Sequence, residues 1–281
     1  MPPRIHYAKI KYNRNIGPGF FRMLLACPDA AREARPGQFI MLQVSDSTDP
    51  LLRRPFSLCG IGNDTIEILF RIAGRGTSLM ASWRPEQIVN FIGPLGRGFE
   101  IPETAQAVYI IAGGIGIAPL LALTQSIEQN KTIPDTCIFF GGKTAEDVAV
   151  IEDFKPLSAT VFTATENGSQ GFHGLVTDLF LNHLQHQRAA DIDRTGVFGC
   201  GPQSMARVLG AIAGKHSITC QLSLESMMAC GVGSCLGCVV KTQTIQGSGC
   251  QQPSEPGSFQ YRRVCAEGPV FDSRELVWEG E

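Results

Sequence analysis

Ala107-Val108-Tyr109-Ile110-Ile111-Ala112-Gly113-Gly114-Ile115-Gly116-Ile117-Ala118-Pro119 is the stretch that decides how this chain folds. Its first six residues predict a buried strand, its glycines a tight turn, and the apolar residues 120–127 a helix. Strand, glycine turn and helix N-terminus together make a cradle for a nucleotide phosphate, because unpaired helical N–H groups point at the turn. The pattern is not G-x-G-x-x-G, since Pro119 stands where the last glycine would be. Proline suits a first helical turn, where its missing N–H costs nothing. The uncharged span 105–127 prompts a membrane reading. Glycines and Pro119 interrupt it, and Tyr109, Thr124, Gln125 and Ser126 dilute it, so no membrane helix is expected.

Downstream the same alternation continues. Residues 136–140 form a second strand, ending in Gly141-Gly142-Lys143-Thr144. A third, 159–164, precedes Thr165-Glu166-Asn167-Gly168-Ser169. A fourth, 195–199, ends at Cys200-Gly201-Pro202-Gln203, and 205–213 resumes helical periodicity. Strands alternating with helices predict a parallel sheet with a nucleotide at its carboxyl edge. Cys200 is either a core thiol or part of the ligand crevice. His183 and His186 lie three apart on a polar helix face and read as solvated, and the histidines make no ligand set.

Further on stands Cys230-Gly231-Val232-Gly233-Ser234-Cys235-Leu236-Gly237-Cys238. Four residues and then two separate its cysteines, which is the plant-type [2Fe–2S] spacing. Glycines 231, 233 and 237 are expected to turn the backbone through φ > 0 and bring N–H groups toward sulfur. Such a loop needs one distant fourth ligand, and Cys250 and Cys265 are both available. A four-cysteine zinc site competes, but it usually takes two short-spaced pairs. Here three cysteines crowd one loop, which favours the cluster.

Upstream, residues 5–101 read as short β-runs punctuated by Gly17-Pro18-Gly19, Pro36-Gly37 and Gly93-Pro94-Leu95-Gly96, the spacing of a small antiparallel barrel. Runs 38–44 and 65–72 are strands, the second alternating as if one face were buried. Arg53-Arg54-Pro55-Phe56-Ser57-Leu58 offers a guanidinium for phosphate, a ring for a planar heterocycle and a hydroxyl for its polar edge. Gly74-Arg75-Gly76-Thr77 opens a short helical pattern, either as a pyrophosphate turn or as a plain turn with Thr77 as helix cap.

Composition fits these parts. With 281 residues, 43% hydrophobic and 18% charged, the chain is large enough for about two domains. A net charge of −2 leaves no footprint for nucleic acid. Ten cysteines without need of a disulfide scaffold suit a reducing compartment, and no signal peptide opens the sequence, so a cytoplasmic protein is expected.

The ordered set of motifs resembles the ferredoxin–NADP reductase superfamily. More narrowly, Glu225 to Cys238 followed by Val264-Cys265-Ala266-Glu267-Gly268-Pro269-Val270-Phe271 resembles the iron–sulfur electron-transfer subunits of dihydroorotate dehydrogenase B. The resemblance implies an antiparallel flavin-binding β-barrel (1–101), a parallel-sheet nucleotide-binding α/β domain (102–222) and a C-terminal [2Fe–2S] module (223–281). It implies FAD against Arg54, Pro55, Phe56 and Ser57, with Arg71, Ile72 and Ala73 passing the flavin and Gly76 and Thr77 at its pyrophosphate. Gly114, Gly116 and Cys200 would face NAD, and Cys230, Cys235, Cys238 and Cys265 would hold the cluster. Cys265 is preferred over Cys250, which falls in the polar link 246–260 that reads as a surface loop. The implied partner is an FMN-containing dihydroorotate-oxidising subunit in a 2+2 heterotetramer. The competing expectations are a flavin subunit of a hydrogenase or ferredoxin:NADP oxidoreductase, and a zinc-binding adaptor.

Overall fold

The computed structural model of the protein describes residues 3–103, 105–130, 135–154, 158–187, 194–243 and 259–278. Six antiparallel strands close the first barrel in the order β1-β2-β5-β4-β3-β6. They are β1 (Ile5–Gly17), β2 (Phe20–Ala26), β3 (Phe39–Leu42), β4 (Arg54–Ile61), β5 (Thr65–Arg71) and β6 (Ile88–Leu95), with helices α1 (Pro28–Glu33) and α2 (Arg75–Ala81) in the connections. Period-2 side chains such as Ile10, Met23, Leu25, Ile40, Phe70 and Phe91 fill its interior.

The expected alternation in β5 is not seen: Ile66 through Phe70 are all buried. One face lines the barrel core. The other is covered by the second domain, where Leu69 joins Val108, Ile110 and Leu120. At about 1.5–3 kcal/mol for a fully buried leucine, Leu69 ties the domains together.

The second domain places β7 (Ala107–Gly113), β8 (Asp135–Gly142), β9 (Thr160–Thr165), β10 (Phe172–His173), β11 (Thr195–Cys200) and β12 (Thr219–Ser223) in one parallel sheet. Among the described residues its α-helices are α3 (Ile117–Asn130), α4 (Ala145–Ala149), α5 (Val176–Gln185) and α6 (Gln203–Lys215). Both sheet faces are packed. Val108, Ile110 and Ala112 face α3 and the barrel, while Tyr109 and Ile111 face α5 and α6. His183 is not simply solvated. Its ring lies edge-on to Tyr109 and Phe139 at 5.4 and 5.0 Å, and burial lowers its pKa. His186 is exposed, its Nδ1 paired with the carbonyl of Asn182.

The C-terminal region carries the hairpin β13 (Val239–Gln243) and β14 (Phe259–Arg263), then β15 (Val270–Asp272). β15 pairs antiparallel with β12, so the sheet has seven strands in the order β10-β9-β8-β7-β11-β12-β15. Cys250 and the polar link between β13 and β14 lie outside the described residues. Among the described residues, no helix is long and apolar enough to cross a membrane.

Candidate functional site

A cavity of about 360 Å³ opens between the barrel and the parallel sheet. The barrel contributes Pro55, Phe56 and Ser57 from β4, Arg71 from the end of β5, and Ala73 beyond it. The sheet contributes Gly116 from the glycine turn and Cys200 from the carboxyl end of β11. Gly116 has no room for a side chain, since a Cβ there would collide with the main chain of Cys200. That closeness brings α3 to the sheet edge. Gly114 takes φ +55 with open space around it.

Arg54, Ile72, Gly76, Thr77 and Gly114 are not among the residues lining this cavity. The Arg54 stem lies against Gly76, where a Cβ would sit 3.7 Å from its Cγ, and its Nη1 donates to the carbonyl of Leu52 at 2.6 Å. Ile72 is exposed. Gly74, not Thr77, is the cap residue of α2. The Thr77 hydroxyl accepts instead from the N–H groups of Ala73 and Gly74 at 2.9 and 3.2 Å.

Ser223, Glu225, Met228 and Pro269 complete the wall and were not singled out as site residues from sequence. The available signal was position: Ser223 ends β12 and Glu225 lies two residues past it, at the carboxyl edge where α/β sheets bind ligands. Glu225 is exposed overall, but desolvation of its carboxyl beside the cavity raises its pKa. Burial, reinforced by Glu225, pushes Cys200 up to about 12, with the Ser223 hydroxyl pulling the other way. Cys200 is therefore a neutral thiol at physiological pH, a small soft surface rather than a base.

Beside the cavity the cysteine loop carries three thiols and meets the fourth, Cys265, from beyond β14. Gly231 and Gly233 adopt φ +70 and +81. Gly237 does not take the expected left-handed conformation; Leu236 does, at φ +58. The Cys230 sulfur accepts from the N–H groups of Val232 (3.5 Å) and Cys235 (3.4 Å). The Cys265 sulfur accepts from Gly233 N–H at 3.2 Å, and the Cys238 sulfur from Cys265 N–H at 3.4 Å. The loop is braced by Arg263, which donates to the Gly233 carbonyl at 2.8 Å and pairs with Glu267. A Cβ on Gly231 would collide with Met41, so the loop rests directly on β3.

Cys230 interacts with Cys235, and Cys265 with Cys238 and also with Cys230. Among the described residues, no three His, Cys, Asp or Glu groups close on one point to hold a single metal ion. Four thiols within reach of one another, with main-chain N–H groups aimed at three of the sulfurs, suit a thiolate-held iron–sulfur cluster. Burial opposes ionisation of Cys230, but the N–H groups around it prevail and bring its pKa down to about 6. Cys238 and Cys265 are each only 2% exposed. Cys235 is exposed and marks the open side of the site.

Comparison with known proteins agrees with this geometry. Residues 110–210 match the oxidoreductase NAD-binding domain, and residues 225–277 match the iron–sulfur cluster binding domain of dihydroorotate dehydrogenase B. The electron transfer subunit of dihydroorotate dehydrogenase B (NAD(+)) from Desulforamulus reducens is 34% identical over 98% of this chain and 99% of its own. Its counterpart from Caldanaerobacter subterraneus subsp. tengcongensis is 35% identical over 96% of this chain and 98% of its own. In fold, the chain is similar to an NADH-dependent reduced ferredoxin-NADP oxidoreductase (TM-score 0.78, 22% identity, covering 97% of this chain and 90% of that one). It is also similar in fold to a ferredoxin NADP+ reductase from Neisseria gonorrhoeae (TM-score 0.63, 18% identity, covering 75% of this chain and 91% of that one). With relatives this similar along nearly its whole length, the chain belongs to the family of electron transfer subunits of dihydroorotate dehydrogenase B (NAD(+)).

Proposed function

We propose that this chain relays electrons from a separate dihydroorotate-oxidising subunit, through a [2Fe–2S] cluster and FAD, to NAD+ in pyrimidine biosynthesis. One observation carries the reading. The barrel motif Pro55-Phe56-Ser57, the glycine turn at Gly116, and the segment Ser223 to Met228 leading into the cysteine loop all line one cavity. When bound there, a flavin exchanges two electrons with a nicotinamide and single electrons with an iron–sulfur cluster.

The chain's own residues bind and orient. Pro55 and Phe56 offer apolar surface to a planar ring, and Ser57 a hydroxyl to its edge. Arg54, Arg71, Ile72 and Ala73 flank the flavin, with Gly76 and Thr77 near its pyrophosphate. Gly114 and Gly116 admit the nicotinamide nucleotide next to Cys200, whose neutral thiol excludes water without competing for protons. Cys230, Cys235, Cys238 and Cys265 hold the irons, and Cys265 rather than Cys250 is the fourth ligand. These roles correspond to a working division at 1–101, 102–222 and 223–281.

As an electron transfer subunit, the chain works with a catalytic subunit. We assign that partner an FMN, a 2+2 assembly and a cytoplasmic setting, the last suited to the free thiols. Anaerobic co-purification with the partner, followed by flavin, iron and sulfide analysis and a dihydroorotate:NAD+ assay, tests the proposal. FAD, two irons per chain and activity are expected. A colourless, zinc-bearing protein, or one isolated with hydrogenase subunits, would defeat it.

A further inference from the structure

Arg22 on β2 reaches across the seam between the two domains. Its side chain is 15% exposed, and that of its partner Glu67 on β5 is 5% exposed. Nε and Nη2 grip the Glu67 carboxylate at 2.7 and 2.8 Å. Nη1 donates to both the carbonyl and the carboxylate of Asp153, at 2.9 and 2.8 Å. Asp153 belongs to the other domain, in the 3-10 turn Val150–Phe154 that follows α4. The guanidinium carbon also lies 4.3 Å from the centre of the Phe154 ring. Arg14 of β1 adds a second grip on the Asp153 carboxylate at 2.8 Å, and the Tyr12 hydroxyl donates to Glu67.

Much of the remaining seam is apolar, with Phe20, Cys59 and Leu69 of the barrel packed into the same cluster as Leu120 and Leu121. Apolar contact is non-directional and lets one surface rock over another at little cost. A two-pronged, charge-assisted pair fixes distance and direction together. A further ion pair across the seam, Arg71 with Asp147 at 3.3 Å, has an arginine 53% exposed and holds correspondingly little. Glu67, Leu69 and Arg71 alternate onto the same outward face of β5, and Arg71 lines the cavity. The clasp therefore sits about 13 Å from the cavity along one hydrogen-bonded strand.

We propose that Asp153, held by Arg22, is a positioning residue: the clasp fixes the angle between the two domains and so the stacking of nicotinamide on flavin. The inference rests on the reading of the cavity as the place where those two rings meet.

The test uses the full chain carrying its flavin and cluster, with Asp153→Ala. That change deprives both arginines of their shared carboxylate and leaves the Arg22–Glu67 pair intact within the barrel. NADH is mixed in anaerobically, with excess ferricyanide as electron acceptor for the turnover measurement and without it for the spectra. Flavin content, turnover per bound flavin and the long-wavelength charge-transfer absorbance of the stacked rings are then measured. Turnover per flavin is expected to fall about tenfold, with KM for NADH within about twofold, since a misplacement on the order of 1 Å suffices for such a loss. The charge-transfer absorbance per flavin should fall with it.

A residue that merely stabilises the fold would lower the melting temperature and leave both per-flavin quantities unchanged. That result, or no change at all, overturns the proposal. Should Asp153→Ala fail to hold flavin, Asp153→Asn keeps the side chain's shape and removes only the charge that both arginines grip. The same two quantities should then fall about two- to threefold, and constancy of both overturns the inference. A wild-type chain that binds no flavin would instead fault the function proposed above.

Discussion

The main-chain N–H of Gly233 donates to the sulfur of Cys265 at 3.2 Å, joining the cysteine loop to a thiol from the far side of the β13–β14 hairpin. Cys265→Ala should remove one of four ligands and cut iron and acid-labile sulfide by roughly tenfold or more, since even outer contacts of a metal site are worth that much. Flavin content should stay near wild type, and Cys250→Ser should leave both unchanged. Colorimetric iron and sulfide assays beside flavin absorbance check this. Full iron in Cys265→Ala would remove it from the ligand set.

Gly231→Ala introduces a Cβ at φ +70 that collides with Met41 beneath the loop. Strain plus overpacking should cost about 1–3 kcal/mol. Denaturant unfolding should show a lower midpoint with an unchanged slope, and cluster occupancy should fall. Gly237→Ala, with only the Cys235 sulfur within 4 Å and no left-handed requirement, should be milder.

The two glycines of the nucleotide turn should respond differently. Gly116→Ala drives a Cβ into the Cys200 main chain and forces α3 away from the sheet. NADH-driven reduction should drop by about a hundredfold if the nicotinamide site shifts on the order of 1 Å. Gly114→Ala meets open space and carries only the left-handed penalty, on the order of 1 kcal/mol. Stopped-flow reduction of the bound flavin by NADH distinguishes the two variants.

Glu225 predicts a pH signature. Desolvation beside the cavity raises its carboxyl pKa although the residue as a whole is exposed, so the native state modestly favours the protonated form. Below about pH 4 the group is protonated in both states, and its favourable contribution is fully present. That contribution is lost as pH rises through the raised native value, because the unfolded chain ionises more readily. Glu225→Gln cannot ionise and should gain thermal stability over wild type as pH rises across that window. Melting temperatures of both proteins from pH 4 to pH 8 test this, and a gap that narrows with pH would refute the sign.

The parts legible in the sequence were those where local chemistry and tertiary role coincide. Six apolar residues running into the Gly113–Gly116 turn can hardly be anything but a buried strand entering a helix, and β7 and α3 are where they were expected. The cysteine spacing was equally legible, because thiol geometry leaves little freedom.

What stayed hidden depended on partners far along the chain. Glu67 reads as a solvent-facing strand residue, yet it is buried because Arg22 and Tyr12 come to it from other strands. His183 looks polar on its helix but packs against rings from β7 and β8. Glu225 and Ser223 became visible as cavity walls only once β12 was in place, and that strand is short. Leu236, between Cys235 and Cys238, takes the left-handed turn expected of Gly237, a corner that residue preference alone does not reveal.

β15 lies beyond the cysteine loop, yet it covers the edge of β12 in the central sheet. Oxygen damage that strips the irons therefore threatens more than electron flow. As the lobe loosens, a row of unpaired amides on β12 is laid open, a ready template for gluing one molecule to the next. Air-exposed preparations should cloud as they bleach, the precipitate enriched in chains that have lost their colour.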